Sequence, residues 1–237
     1  SSMSSIELMG SGQLDELVLD DYNSMLYRRL TATAGTHGRV EPAGELYVPV
    51  GTSTNIAIIA DAFYRVGAVT VDGQGVGSVA NVAFTNVWDE HALAAEFAAS
   101  LTSGGVPELW LNAINPAWTD DFEAHALEDT DGDGAPNGAE FAAGTDATNA
   151  ASVFRLDMGV GDGYSVISFE TIPFEGWRYG LSGVRRYALE QADDLRGGDW
   201  QAVPGLSGVP GDGRGVTHTN GFEAPVRFFR GKVWLEP

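Results

Sequence analysis

The 237-residue chain contains no cysteine. That excludes a disulfide framework and any thiolate-ligated metal site, and it removes thiols as an indicator of redox compartment. Positive charge is also scarce: 13 Lys and Arg face 33 Asp and Glu, giving a formal charge of −20. Nucleic acid and anionic membrane both need a basic face, so neither is expected as a partner, and cations are. No apolar run approaches the roughly 20 residues of a membrane-spanning helix, so no membrane insertion is expected. The opening SSMSSIELMG has neither the charged nor the apolar region of a signal peptide.

What is present is globular. Hydrophobic residues make up 43% of the chain and aromatics 10%, enough for buried cores, while 31 glycines point to many turns and a mainly β fold. Apolar alternation marks strands in LYRRLTATAG, RVEPAGELYVPVG, TNIAIIADAFYRV, GAVTVDG, NVAFTNV and HALAAEFA, with Asp72-Gly73 as a hairpin turn. A Gly/Pro break at 102–107 then introduces helical spacing in ELWLNAIN. A second helix is expected over DDFEAHAL, with Thr119 or Asp120 available as its N-cap. Strand patterns return after Asn149 in VFRLDMG, YSVISFETI, RRYALEQ, DWQAV and RFFRGKVWL, separated by loops such as LSGVPGDGRG. The expected division is closing strands of an upstream β-sandwich, or docking strands, over 1–25; a β-rich domain over 26–100; a helical module over 101–150; and a C-terminal β-sandwich over 151–237.

Between Arg65 and Arg155 no Lys or Arg occurs, yet this interval holds DTDGDGAPNGAE, residues 129–140. Three aspartates at alternate positions repel one another unless a cation lies between them, and the local chain supplies none. The twelve residues fit the calcium-loop pattern D-x-[DN]-x-[DN]-G-x5-E at every defining position. Asp129, Asp131 and Asp133 take positions 1, 3 and 5, and Gly134 allows the sharp turn at position 6. Ala135 offers a main-chain carbonyl, Asn137 reaches the ion directly or through water, and Glu140 closes the shell. An all-oxygen set of six or seven donors suits Ca²⁺ better than Mg²⁺. Asp146, further along in AAGTDATN, either adds a ligand or caps the following turn.

Other sites are weaker. His37, His91, His125 and His218 lack zinc-ligand spacing. Gly73-Gln74-Gly75-Val76-Gly77 lacks the third glycine of a dinucleotide fingerprint and reads as a turn. Ser182 and Ser207 are not in a nucleophile motif. No catalytic residue is expected.

Residues 129–146 resemble the calcium modules of the thrombospondin type 3 and dockerin-like kind from secreted and surface proteins of bacteria, with Ala147 where proline is usual. Residues 26–99, through LTATAGTHGRVEPAG, ADAFYRVGAVTVDGQGVG and FTNVWDEHALAAEFA, resemble a divergent internalin-type B repeat, a β-grasp-like module. The segment GSGQLDELVLDD looks like the end of a laminin-G-like sandwich, and RRYALEQADDLRGGDW with RFFRGKVW is similar to the sandwich that often ends such proteins. The resemblance implies a mainly β, multi-domain, extracellular or cell-surface tail without catalysis, built from a β-grasp-like domain, an EF-hand-like calcium module and a β-sandwich. Its expected partners are calcium and either further copies of itself or surface polysaccharide. The expected function is structural, in adhesion or assembly; the alternative is an accessory carbohydrate-binding tail of a polysaccharide-acting enzyme. That alternative needs exposed aromatics such as Trp177, Trp200 or Trp234, for which core packing is the default expectation.

Overall fold

A computed structural model describes residues 26–197, 199–221 and 227–237. The expectation for residues 1–25 lies outside the described residues. The fold is mainly β, and the chain divides into two compact units, one ending at Ala98 and the other covering Ala99–Pro237.

Among the described residues, eight strands build the first unit: β1 (Tyr27–Ala34), β2 (Gly38–Glu41), β3 (Gly44–Pro49), β4 (Thr54–Ala60), β5 (Tyr64–Val71), β6 (Gln74–Gly77), β7 (Asn81–Phe84) and β8 (His91–Ala99). They form a five-stranded sheet in the order β3-β1-β8-β5-β6 and a three-stranded sheet in the order β2-β4-β7. β1 and β8 pair in parallel, from Leu30 opposite His91 to Ala34 opposite Ala95. Alternation explains the core: Leu30 and Ala32 on β1, Ile56 and Ile58 on β4 and Leu93 and Ala95 on β8 all turn inward with Val40, Val69 and Phe84. Burying each large aliphatic side chain contributes about 1.5–3 kcal/mol.

Two of the apolar runs each supply two strands. RVEPAGELYVPVG gives β2 and β3, and TNIAIIADAFYRV gives β4 and β5, one member of each pair in either sheet. Asp72 and Gly73 close the β5–β6 hairpin with φ of 53° and 77°, the paired positive values of a type I′ turn. The glycine-rich 73–77 segment therefore belongs to a hairpin, with no helix following it.

The second unit begins with three short helices, α1 (Glu108–Ile114), α2 (Phe122–Leu127) and α3 (Asn137–Ala143). The N-cap of α2 is Asp121, at φ 51° and without a side-chain cap bond, rather than Thr119 or Asp120. Six strands follow: β9 (Asp157–Gly161), β10 (Tyr164–Glu170), β11 (Val184–Ala192), β12 (Gln201–Pro210), β13 (Gly215–Gly221) and β14 (Phe228–Glu236). They make two antiparallel three-stranded sheets, β13-β10-β9 and β12-β11-β14. Ile167 and Phe169 from the first meet Tyr187, Leu189 and Val203 from the second in one core.

The glycine-rich LSGVPGDGRG, expected as a loop, is strand as far as Pro210. Its pairing with β11 shifts register between Tyr187 and Ala188 and again between Ala188 and Glu190, so Gly208 lies in a bulged strand, while Gly211 and Gly213 stay in the loop before β13.

Candidate metal centre

Residues 128–136 connect α2 to α3. The Asn137 N–H donates to the Glu128 carbonyl at 2.8 Å, which draws the two ends of the loop together. The helices approach closely at Gly138, where a Cβ would stand 3.1 Å from the Ala126 carbonyl. Between these fixed ends the loop folds on its own aspartates. Asp129 accepts the Gly132 N–H on Oδ1 at 2.8 Å and the Gly134 N–H on Oδ2 at 2.9 Å. Asp131 Oδ1 accepts the Asp133 N–H at 3.2 Å, and Asp133 Oδ1 accepts the Ala135 N–H at 2.7 Å. These side-chain-to-backbone bonds favour the turn while consuming only one oxygen of Asp131 and of Asp133. Gly134 has φ 98°, a conformation from which a Cβ is excluded by its own backbone.

The structure brings Asp129, Asp131 and Asp133 together, with one carboxylate oxygen of each within 4.8 Å of the others. Asn137 and Glu140 lie on the first turn of α3, 0% and 1% exposed. The Asn137 amide donates to the His125 carbonyl at 2.8 Å, which fixes the orientation of the group and leaves its oxygen over. Glu140 takes one hydrogen bond, from the Thr145 hydroxyl to Oε1 at 3.0 Å. Ala135 is half-buried at the seventh position.

Among the described residues four side-chain oxygens consequently stand buried without a hydrogen-bond partner: Asp131 Oδ2, Asp133 Oδ2, Asn137 Oδ1 and Glu140 Oε2. Such orphans are rare because each forfeits its hydration. Here all four fall within one loop and its exit turn. Burial, reinforced by the charges of Asp131, Asp133 and Asp129, pushes the Glu140 carboxyl up to about 7, against the opposing hydrogen bond from Thr145. The centre is thus a set of hard oxygen donors short of positive charge.

Asp146 stands apart. It is exposed, and its Oδ1 accepts both the N–H and the hydroxyl of Thr148, at 3.1 and 2.7 Å. Those bonds, all to Oδ1, hold its carboxyl below the usual range and are the contacts of a turn cap.

Sequence reasoning missed two residues that support the centre. Thr145 bonds Glu140 directly. Arg185, on β11 and 4% exposed, donates to the carbonyls of Ala142 at 2.7 Å and Phe141 at 3.2 Å in the last turn of α3. The same guanidinium bonds the carbonyls of Ile172 and Pro173 at 3.1 and 2.8 Å, joining helix to sheet. Arg185 lies more than forty residues from the loop, and no local signal connects them.

The three tryptophans also depart from the core-packing expectation. Trp177 is 72% exposed and Trp234 37%, while Trp200 is half-buried with the Arg230 guanidinium 4.4 Å from its ring. Among the described residues no helix is long and apolar enough to cross a membrane. Comparison with family models, curated proteins and solved structures gives no significant match to this chain.

Proposed function

We propose that residues 129–140 bind one Ca²⁺ and that the chain is a calcium-stabilised extracellular structural module, serving adhesion or assembly without catalysis. The observation that carries this reading is the set of four buried, unpartnered oxygens within this one loop and its exit turn. Asp129, Asp131, Asp133, Asn137 and Glu140 would hold the ion, with the Ala135 carbonyl completing the shell. Calcium takes six to eight oxygens and tolerates irregular geometry, whereas Mg²⁺ demands a tighter octahedron. In this reading the first unit is a β-grasp-like domain, the loop with α2 and α3 is EF-hand-like, and the paired sheets of the second unit are a β-sandwich. The ion fixes α2 against α3, and Arg185 passes that order to the sheets. Extracellular calcium modules typically bind at about 10⁻⁴–10⁻³ M, so the site would fill outside a cell and stand largely empty in a cytosol. Further copies of the chain or surface polysaccharide are the partners such a module would meet.

The test is calorimetric titration of metal-free protein with CaCl₂ and, separately, MgCl₂. One calcium per chain, with magnesium far weaker, is the expected result. No heat from calcium, or equal affinity for the two ions, overturns the reading. Absence of catalysis is checked on a polysaccharide panel, where release of reducing ends above background would refute it.

A further inference from the structure

Beside α3, on the side of the second unit where Arg185 enters, lies an open cleft of about 410 Å³, within the roughly 300–1,000 Å³ typical of small-molecule sites. Its aromatic walls are Trp110, Phe141, Phe174 and Tyr179, packed about Phe141 with ring centroids 5.2–6.1 Å apart. Its exposed charged groups are the Glu175 carboxylate and the Arg178 guanidinium, held together at 2.8 Å, while Arg185 lines it from a buried position. Trp177, in the same short turn as Arg178, stands 72% exposed, with that guanidinium 5.5 Å from its ring.

We propose that this cleft binds a neutral saccharide. Charge and surface chemistry select the occupant. Anions are disfavoured by a chain of formal charge −20, and cations meet Arg178 and Arg185 at the cleft itself. A wholly apolar ligand would strip water from the Glu175–Arg178 pair and return no hydrogen bonds. A pyranose meets both requirements. Its C–H faces lie on aromatic rings, and its hydroxyls donate to a carboxylate and accept from a guanidinium. Trp177 extends the surface for a neighbouring sugar of the same chain. This inference goes beyond calcium binding and does not depend on it.

The probes are neutral hexasaccharides of β-1,4-linked glucose, xylose and mannose, titrated into the full chain in calcium-containing buffer and followed by NMR at the tryptophan indole N–H groups. At least one should shift the Trp110 resonance saturably. Glu175→Ala and Arg178→Ala, which remove exposed side chains, should weaken that binding tenfold or more with melting unchanged; Trp177→Ala should weaken the hexasaccharide more than the matching disaccharide. The proposal is overturned if no hexasaccharide shifts Trp110. It is equally overturned if binding survives both Glu175→Ala and Arg178→Ala, or if a uronic-acid hexasaccharide binds more tightly than every neutral one.

Discussion

Arg185 Nε donates to the Ala142 carbonyl across 2.7 Å, so a cation on a strand of the second unit caps the last turn of the helix that carries Asn137 and Glu140. A guanidinium at a helix C-terminus meets both the unpaired carbonyls and the negative end of the dipole. Burial lowers its pKa, yet it remains charged at any ordinary pH. Truncating it in Arg185→Ala strands four carbonyls that now share its N–H groups. We expect a loss of about 3 kcal/mol or more in urea unfolding. Arg185→Lys should recover little, because a single ammonium cannot reproduce the fork. A near-neutral Arg185→Ala would show that the helix is held without it.

Glu140→Gln separates a metal ligand from an acidic turn. In metal-free protein the substitution removes a buried charge and should raise the melting temperature. With calcium present it should do the reverse, abolishing the stabilisation of RT ln(1 + [Ca]/Kd), about 2.7 kcal/mol at a hundredfold excess, that the unaltered chain enjoys. Thermal melts of both proteins in calcium and in chelator provide the four values. Equal shifts in the two proteins would remove Glu140 from the ligand set.

The same carboxyl sets a pH dependence. In the metal-free fold its pKa is about 7, against 4.5 for an ordinary glutamate. Between these values the folded chain binds a proton that the unfolded chain has released, so this group makes stability fall as pH rises from about 4.5 to 7 and contributes no further slope above. Urea midpoints of metal-free protein across that window should decline. Glu140→Gln should lack this component, and an unchanged slope in the variant would assign the effect elsewhere.

Asp146→Ala should leave calcium affinity unchanged, because its carboxylate lies outside the Asp129, Asp131 and Asp133 group and its charge does not act on Glu140. A drop in affinity as large as that from Asp131→Ala would return Asp146 to the ligand set.

The loop was legible in the sequence because its chemistry is local: alternate aspartates, Gly134 and Glu140 act within one turn of chain on either side. The Asp72-Gly73 hairpin was legible for the same reason. Contacts across the fold were not. Arg185 looks like any strand arginine until α3 is placed against it. The β12 strand hid behind its glycines because pairing with β11 supplies the hydrogen bonds that local propensity does not. Apolar alternation likewise cannot say that one run changes sheets halfway, as between β4 and β5.

The parallel pairing of β1 and β8 has a mechanical consequence. Tension applied through the two ends of the first unit would draw these neighbouring strands past each other along their length. The backbone bonds across the register from Leu30–His91 to Ala34–Ala95 would then be loaded together rather than opened one after another. Forced extension is governed by the unfolding rate, so a sheared ladder of this kind resists pulling more than its equilibrium stability suggests.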